Sequence, residues 1–267
     1  MPSDFPPAAG PLLTGLAREA IECVASGRRP PSAEVSALLD RFGPAAGGLG
    51  QGGAPTGRPV EAGMGGEPAS GPASRIGEPA GLSTATARTA PAGPGQLGPE
   101  LAGWDFLARP GAAFVTLTRH GELRGCIGSL EAHRPLAKDV QYNAIDAAFG
   151  DPRFAPLPAG EVDRVDIEVS VLSEPLPLAF ADRADLAGQL RPGVDGLVLA
   201  ARGRRGTFLP QVWDQLPTPE LFLAHLVRKA GLPAGYWDGD VRIWRYTVTA
   251  FEEDRTASAD RGVAEET

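Results

Sequence analysis

Apolar residues in this 267-residue chain follow two rhythms, and the changes from one to the other mark its elements. Over residues 11–25, Leu13, Leu16, Ala17, Ala20 and Val24 recur every three or four positions, the spacing of one buried stripe on a helix. Ser32 suits the N-cap of a second short helix on which Val35, Leu38, Leu39 and Phe42 lie one turn apart. Beyond Leu101 the period shortens to two. Residues 111–118 and 122–129 read as strands joined across Arg119-His120-Gly121, a three-residue loop with Gly121 in its left-handed third place. That register sets Val115, Leu117, Leu123 and Ile127 on one face. Phe114, Thr116, Thr118, Arg124 and Cys126 fall on the other, more polar face.

Residues 135–149 return to helical spacing, with Pro135 at the first position and Leu136, Val140, Ala144, Ala147 and Ala148 inward. Gly150-Asp151-Pro152 ends that helix. Over residues 162–172, Val165, Ile167, Val169 and Val171 alternate with Asp166, Glu168 and Ser170, the pattern of a half-buried strand. A second hairpin is expected from residues 196–200 and 206–210 across Arg202-Gly203-Arg204. Residues 219–230 carry Leu221, Phe222, Leu226 and Val227 on a helix closed by Gly231. One final strand is expected over residues 241–251. Hairpins separated by single helices predict an α+β fold, a largely antiparallel sheet with flanking helices.

Composition divides the chain further. Residues 43–100 are dominated by Gly, Pro, Ala and Ser with no apolar period, so they bury too little surface to offset the entropy of ordering. They read as a long disordered insertion. It separates the helices of residues 11–42 from the main part, residues 101–253, with disordered ends expected at 1–10 and 254–267. The net charge of −8 argues against nucleic acid as a partner. No segment approaches the roughly 20 apolar residues of a membrane span, and the start has no secretory leader pattern. Cys23 and Cys126, the two cysteines, make a disulfide framework improbable, so a reduced cytoplasmic protein is expected.

Cys126 is the residue with most chemical promise. It lies within Leu-Arg-Gly-Cys-Ile-Gly, residues 123–128, two positions after Arg124, and a nearby guanidinium favours the nucleophilic thiolate. Cys126 is therefore the candidate nucleophile and Arg124 the candidate thiolate or anion stabiliser. A small buried packing residue is an equally good reading of the cysteine. Gly125 and Gly128 allow close approach of a backbone or a substrate. A nucleophilic cysteine normally has a histidine base, yet His120 sits in the hairpin turn, His133 in a loop and His225 on a helix. Glu168 is the candidate acid or base, sharing the polar strand face with Ser170. Asp151 suits a turn cap, and Arg153 suits an anion through its bidentate fork. No cysteine, histidine or carboxylate pair has ligand spacing, so neither metal nor cofactor is expected.

Seven stretches taken together resemble one family. They are LAREAIE from Leu16, FVTL from Phe114, LRGCIGSL from Leu123, AAFGDPRFAPL from Ala147, IEVSVLSEPLPL from Ile167, TFLPQVWDQLPTPELFL from Thr207, and KAGLP from Lys229. The chain resembles the AMMECR-one domain family, also called AmmeMemoRadiSam system protein A. That resemblance implies an α+β domain with a larger and a smaller lobe and a cleft near the cysteine segment, which Thr207, Gln211 and Trp213 would help line. It also implies radical S-adenosylmethionine and Memo-like proteins as partners in a modification pathway. The expected function is a cysteine-dependent enzyme or enzyme subunit acting on a small molecule or peptide. The alternative is a non-catalytic binding or adaptor domain that docks through the LRGCIG surface. Two departures stand out: the long insertion, and Val227, where relatives often carry a second cysteine.

Overall fold

A computed structural model of the chain describes residues 5–42 and 103–254. The expected insertion, residues 43–100, lies outside them. The first helix, α1 (Ala9–Ala25), buries Leu13, Leu16, Ala17 and Ala20 completely, as its periodicity requires. It starts two residues earlier than the pattern suggests, and Phe5 ahead of it packs edge-on to Phe106 and Phe251. The short α2 (Val35–Phe42) rests against α1. Then come β1 (Pro110–Arg119), β2 (Glu122–Gly128), the two-residue β3 (Arg134–Pro135), α3 (Leu136–Phe149) and β4 (Asp166–Leu172). These build the larger lobe. Its antiparallel sheet runs β2-β1-β4 and is completed by a last strand from the far end of the chain, with β3 paired to β1. Helices α1 and α3 cover one face through Val115, Leu117, Ile167, Val169 and Val171. This leaves Phe114, Thr116, Cys126 and Ser170 on the other.

The smaller lobe contains β5 (Leu176–Pro177), α4 (Arg183–Gln189), β6 (Gly196–Ala201), β7 (Arg204–Phe208), α5 (Pro219–Lys229) and β8 (Arg242–Tyr246). Its antiparallel sheet has the order β5-β8-β6-β7. Thr218 caps α5, and Phe222 stacks on Trp213 with ring centroids 3.9 Å apart. Leu221, expected inward, is 47% exposed because α5 buries only the stripe of Phe222, Leu223, Leu226 and Val227. Helix α4 carries no strong apolar period; Asp182 nucleates it by accepting from the backbone N–H groups of Ala184 and Asp185.

The strand expected over residues 241–251 is in fact two. After β8 the chain crosses to the other sheet and continues as β9 (Val248–Glu252), paired with β4. The stretch from β4 to β5 crosses beside it in the opposite direction. The two crossings are tied together where Ser173 N–H donates to the Thr247 carbonyl and Thr247 N–H donates to Ser173 Oγ. Ala112, Leu172, Val198 and Tyr246 form an apolar seam at this junction. An alternating pattern cannot reveal such a crossing, because both halves keep period two and neither sheet is interrupted by a turn signal.

Candidate functional site

The cysteine segment owes its position to a hairpin that is tighter than its sequence pattern suggests. Arg119 pairs with Glu122, so the loop has two residues, His120 and Gly121, with φ of 55° and 80°. Two positive φ values define the turn type whose twist matches paired strands. The register then shifts by one between Leu117 and Thr118. Gly125 opposes Leu117 and Cys126 opposes Thr116, while Leu123 opposes Thr118 and Arg124 is the extra residue of a β-bulge. This corrects the expected arrangement at the turn end of the strand. Cys126 and Ile127 keep their predicted faces, but Leu123 leaves the face of Ile127. Arg124 reaches past the bulge, where its Nη2 donates to the Ala155 carbonyl at 2.8 Å and its guanidinium lies 5.9 Å from the Phe154 ring centroid.

β2 is an edge strand, and at Cys126 both backbone polar groups point outward. Asp151 Oδ2 accepts from Cys126 N–H at 2.9 Å, and Arg153 Nη2 donates to the Cys126 carbonyl at 3.1 Å. Asp151 also accepts from Arg153 Nη2 at 2.7 Å and from its Nε and backbone N–H at 3.0 Å. The Asp-Pro-Arg turn thus takes the place of a neighbouring strand, satisfying an edge that would otherwise invite pairing. The hydrogen bond from Arg153 holds the Asp151 carboxyl well below the usual carboxylate range, against a smaller opposing effect of burial, with the N–H groups of Cys126 and Arg153 assisting. The Arg153 pKa is raised by Asp151 first, against burial, and further by the Cys126 side chain. Arg153, rather than Arg124, is thus the cation hydrogen-bonded to the cysteine's backbone.

Both glycines of the segment serve internal approach. A Cβ on Gly125 would lie 2.1 Å from the Ala147 carbonyl oxygen of α3, and one on Gly128 would lie 2.2 Å from Cγ of Phe114. Ile127 packs against the larger core. Cys126 is half-buried, and Thr116 Oγ1 donates to its Sγ at 3.3 Å. The sulfur faces a cleft of about 230 Å³ between the lobes. Its floor is Phe114, Thr116, Cys126, Ser170, Leu172 and Val248 from the larger sheet. Its wall is Leu209, Gln211, Val212 and Gln215, on and beside the 3-10 turn Pro210–Asp214.

Glu168 opposes Thr116 on that same sheet face, one strand further from Cys126. Ser170 Oγ donates to Glu168 Oε1 at 2.9 Å, so the carboxylate sits behind a serine of the cleft floor. Among the described residues Glu168 makes no ion pair, and its partner is Ser170. Thr207 instead donates to the Leu197 carbonyl at 2.9 Å and meets Tyr246 Oη at 3.3 Å within the smaller sheet, leaving Gln211 as the predicted wall residue at the cleft. Trp213 is core, donating from Nε1 to the Asp195 carbonyl at 2.7 Å. None of the cleft residues is a histidine. His133 is exposed and its Nδ1 lies 2.8 Å from the Glu131 carbonyl oxygen. Among the described residues no three Cys, His, Asp or Glu side chains gather as metal ligands, and no helix is long and apolar enough to cross a membrane.

Two features escaped the sequence reading. Asp139 is fully buried and accepts from Ala113 N–H at 2.9 Å, Ser129 Oγ at 2.8 Å, Arg134 Nε at 2.7 Å and Asn143 Nδ2 at 2.9 Å. This network braces α3 against β1 and the end of β2. Its signal was present: Asp139 and Asn143 lie four apart, flanking Val140 and Ala144 on the inward stripe. Gln215 is the second, four residues beyond Gln211 on the same wall.

The fold and site together define a two-lobed α+β protein whose lobes enclose a cysteine-bearing cleft. A family model described as AMMECR1 matches residues 80–251, and the chain belongs to that family. A protein of Methanothermobacter thermautotrophicus is 42% identical over 156 residues, covering 56% of this chain and 79% of its own. One of Aeropyrum pernix is 44% identical over 159 residues, covering 55% of this chain and 66% of its own. The crystal structure of the uncharacterised protein PH0010 from Pyrococcus horikoshii is similar with a TM-score of 0.57 at 26% identity, over 94% of each chain.

Proposed function

We propose that the cleft between the lobes is a binding site at which Cys126 is the reacting group, making the protein a cysteine-dependent enzyme or enzyme subunit. One observation carries this reading: Cys126 lines the cleft and its sulfur accepts from Thr116, while Gly125, Ile127 and Gly128 of the same segment are taken up by packing. Asp151 and Arg153 fix the backbone that presents the sulfur; Glu168, through Ser170, is the carboxylate placed to accept a proton from a bound molecule. The radical S-adenosylmethionine and Memo-like partners implied by the family resemblance belong to the same proposal.

The test is the alkylation of the full chain by iodoacetamide, with modification mapped to Cys126 and to buried Cys23. The reading expects Cys126 to react faster in the folded protein than in urea-unfolded chain, and Cys23 to be protected. Equal or slower reaction of folded Cys126 overturns it. The absence of a histidine from the cleft favours a second reading, a binding or adaptor domain in which the thiol is dispensable. Bulky changes at Gly125 or Gly128 do not separate the two readings, since a Cβ would collide with the α3 backbone at the first and with the Phe114 ring at the second. Cys126→Ser does: pathway output persists if the domain is an adaptor and is lost if the thiol reacts.

A further inference from the structure

The wall opposite the sulfur carries two carboxamides, Gln211 and Gln215, whose side chains make no hydrogen bond to the described residues. The other polar groups of the cleft are already engaged, Thr116 with Cys126 and Ser170 with Glu168. No cleft residue is an arginine, lysine, aspartate or glutamate, and apolar Phe114, Leu172 and Val248 line the floor. Of the charged groups adjoining it, Arg153 is paired with Asp151, and Glu168 lies behind Ser170. A charged occupant would gain no opposite charge from the cleft lining to offset what water it loses, whereas an uncharged group needs none.

We infer that the cleft takes an uncharged carboxamide group, of a peptide unit or an amide-bearing small molecule, seated between the Gln211–Gln215 wall and the Cys126 floor. A primary or secondary amide offers both a donor and an acceptor, matching a glutamine carboxamide, which has two N–H donors and a carbonyl acceptor. The volume of about 230 Å³ corresponds to roughly eight water molecules at about 30 Å³ each, enough for about one amino-acid residue. This inference names the occupant of the site assigned to Cys126 above and rests on that assignment for its relevance to chemistry, while binding itself needs no thiol.

The experiment uses the full chain carrying Cys126→Ala, which keeps the cleft and removes the reacting atom. Its glutamine side-chain amide signals are followed by NMR during titration with N-acetylglycinamide, and in parallel with N-acetylglycinate, the carboxylate of the same size. The amide is expected to shift the Gln211 and Gln215 signals saturably, with the carboxylate binding at least tenfold more weakly. Gln211→Leu and Gln215→Leu, both at exposed positions that fold does not depend on, should each weaken the amide by about 2- to 12-fold, the worth of one hydrogen bond. Equal binding of amide and carboxylate, or leucine variants that bind the amide unchanged, overturn the inference. A longer blocked dipeptide amide separates the sources: tighter binding than N-acetylglycinamide identifies a peptide, and equal binding a free amide. Inert Cys126 in the alkylation assay, with amide binding intact here, would overturn the reactive-thiol reading alone.

Discussion

Asp151 tests the proposition that the cysteine is presented by an edge clamp. Its side chain is 2% exposed and accepts two backbone N–H groups, from Cys126 and Arg153, besides the Arg153 guanidinium. A hydrogen bond to a charged group contributes about 1.5–3 kcal/mol, so losing the two backbone bonds in Asp151→Ala costs about 3 kcal/mol at the low end. The Arg153 guanidinium is 53% exposed and screened by solvent, so its ion pair adds little, about 0.5 kcal/mol. Urea unfolding should therefore show Asp151→Ala moving the midpoint down by about 1 M at an m-value of about 3 kcal/mol/M, with Arg153→Ala moving it far less. Hydrogen exchange at the Cys126 amide should accelerate only in the Asp151 variant. The pH dependence has a definite sign. The folded carboxyl is held below its unfolded value of about 3.9, so its stabilisation is complete above that value and is lost as pH falls through the folded one. Wild type should thus lose stability on an acid limb that the variant lacks. Equal destabilisation by the Asp151 and Arg153 variants, or a cost below about 0.5 kcal/mol for Asp151→Ala, would refute the clamp.

Gly125→Ala should destabilise the larger lobe by about 3 kcal/mol, because its Cβ would meet the backbone carbonyl of Ala147 rather than a movable side chain; thermal unfolding measures it, and a tolerated alanine would mean that β2 and α3 are further apart. Burial raises the Glu22 carboxyl above its ordinary range, with Arg18 opposing, so the folded state loses stability as pH climbs from the unfolded value through the raised one. Glu22→Gln should accordingly be more stable than wild type at pH 7, with the gain vanishing below about pH 4; unfolding at the two pH values checks both the sign and the window.

The larger lobe was legible where one period dominates. The stripes of α1 and α3 and the alternation of β4 report a single buried face, and their apolar residues are inside as the pattern requires, except Val24 near the end of α1, which is half-buried. The hairpin was legible only in part. The tight turn and the bulge each offset the register by one, and together they restore the faces of Cys126 and Ile127 while misplacing Leu123 and Arg124. Local spacing cannot separate those two offsets, since a bulge leaves no mark in the alternation on either side of it. The crossing at Thr247 was hidden for the same reason. Of the site, the cysteine stood out by residue type, Thr116 by sharing its strand face and Gln211 through the family resemblance, whereas Gln215 joins it only through tertiary geometry. The Asp-Pro-Arg turn was read as a cap and an anion site, but its role depends on β2 having a free edge, which strand order alone decides.

This division of labour bears on why a cysteine stands in the middle of so constrained a segment. Gly125 yields to the α3 backbone, Gly128 to the Phe114 ring, and Ile127 fills the core. Arg124 occupies the bulge and ties down the Ala155 carbonyl. Each of these side chains, or its absence, has a structural task, and the backbone of Cys126 has one too, through Asp151 and Arg153. The Cys126 side chain has none comparable: it is half-buried, accepts one hydroxyl from Thr116, and otherwise faces the cleft. A serine or alanine would fit there sterically without moving a neighbour. Packing thus accounts for the rigidity of the segment but not for the sulfur, and the rigidity fixes where the sulfur sits relative to whatever enters between the lobes. On the function proposed above, that separation of framework from thiol leaves the Cys126 side chain available to the occupant of the cleft.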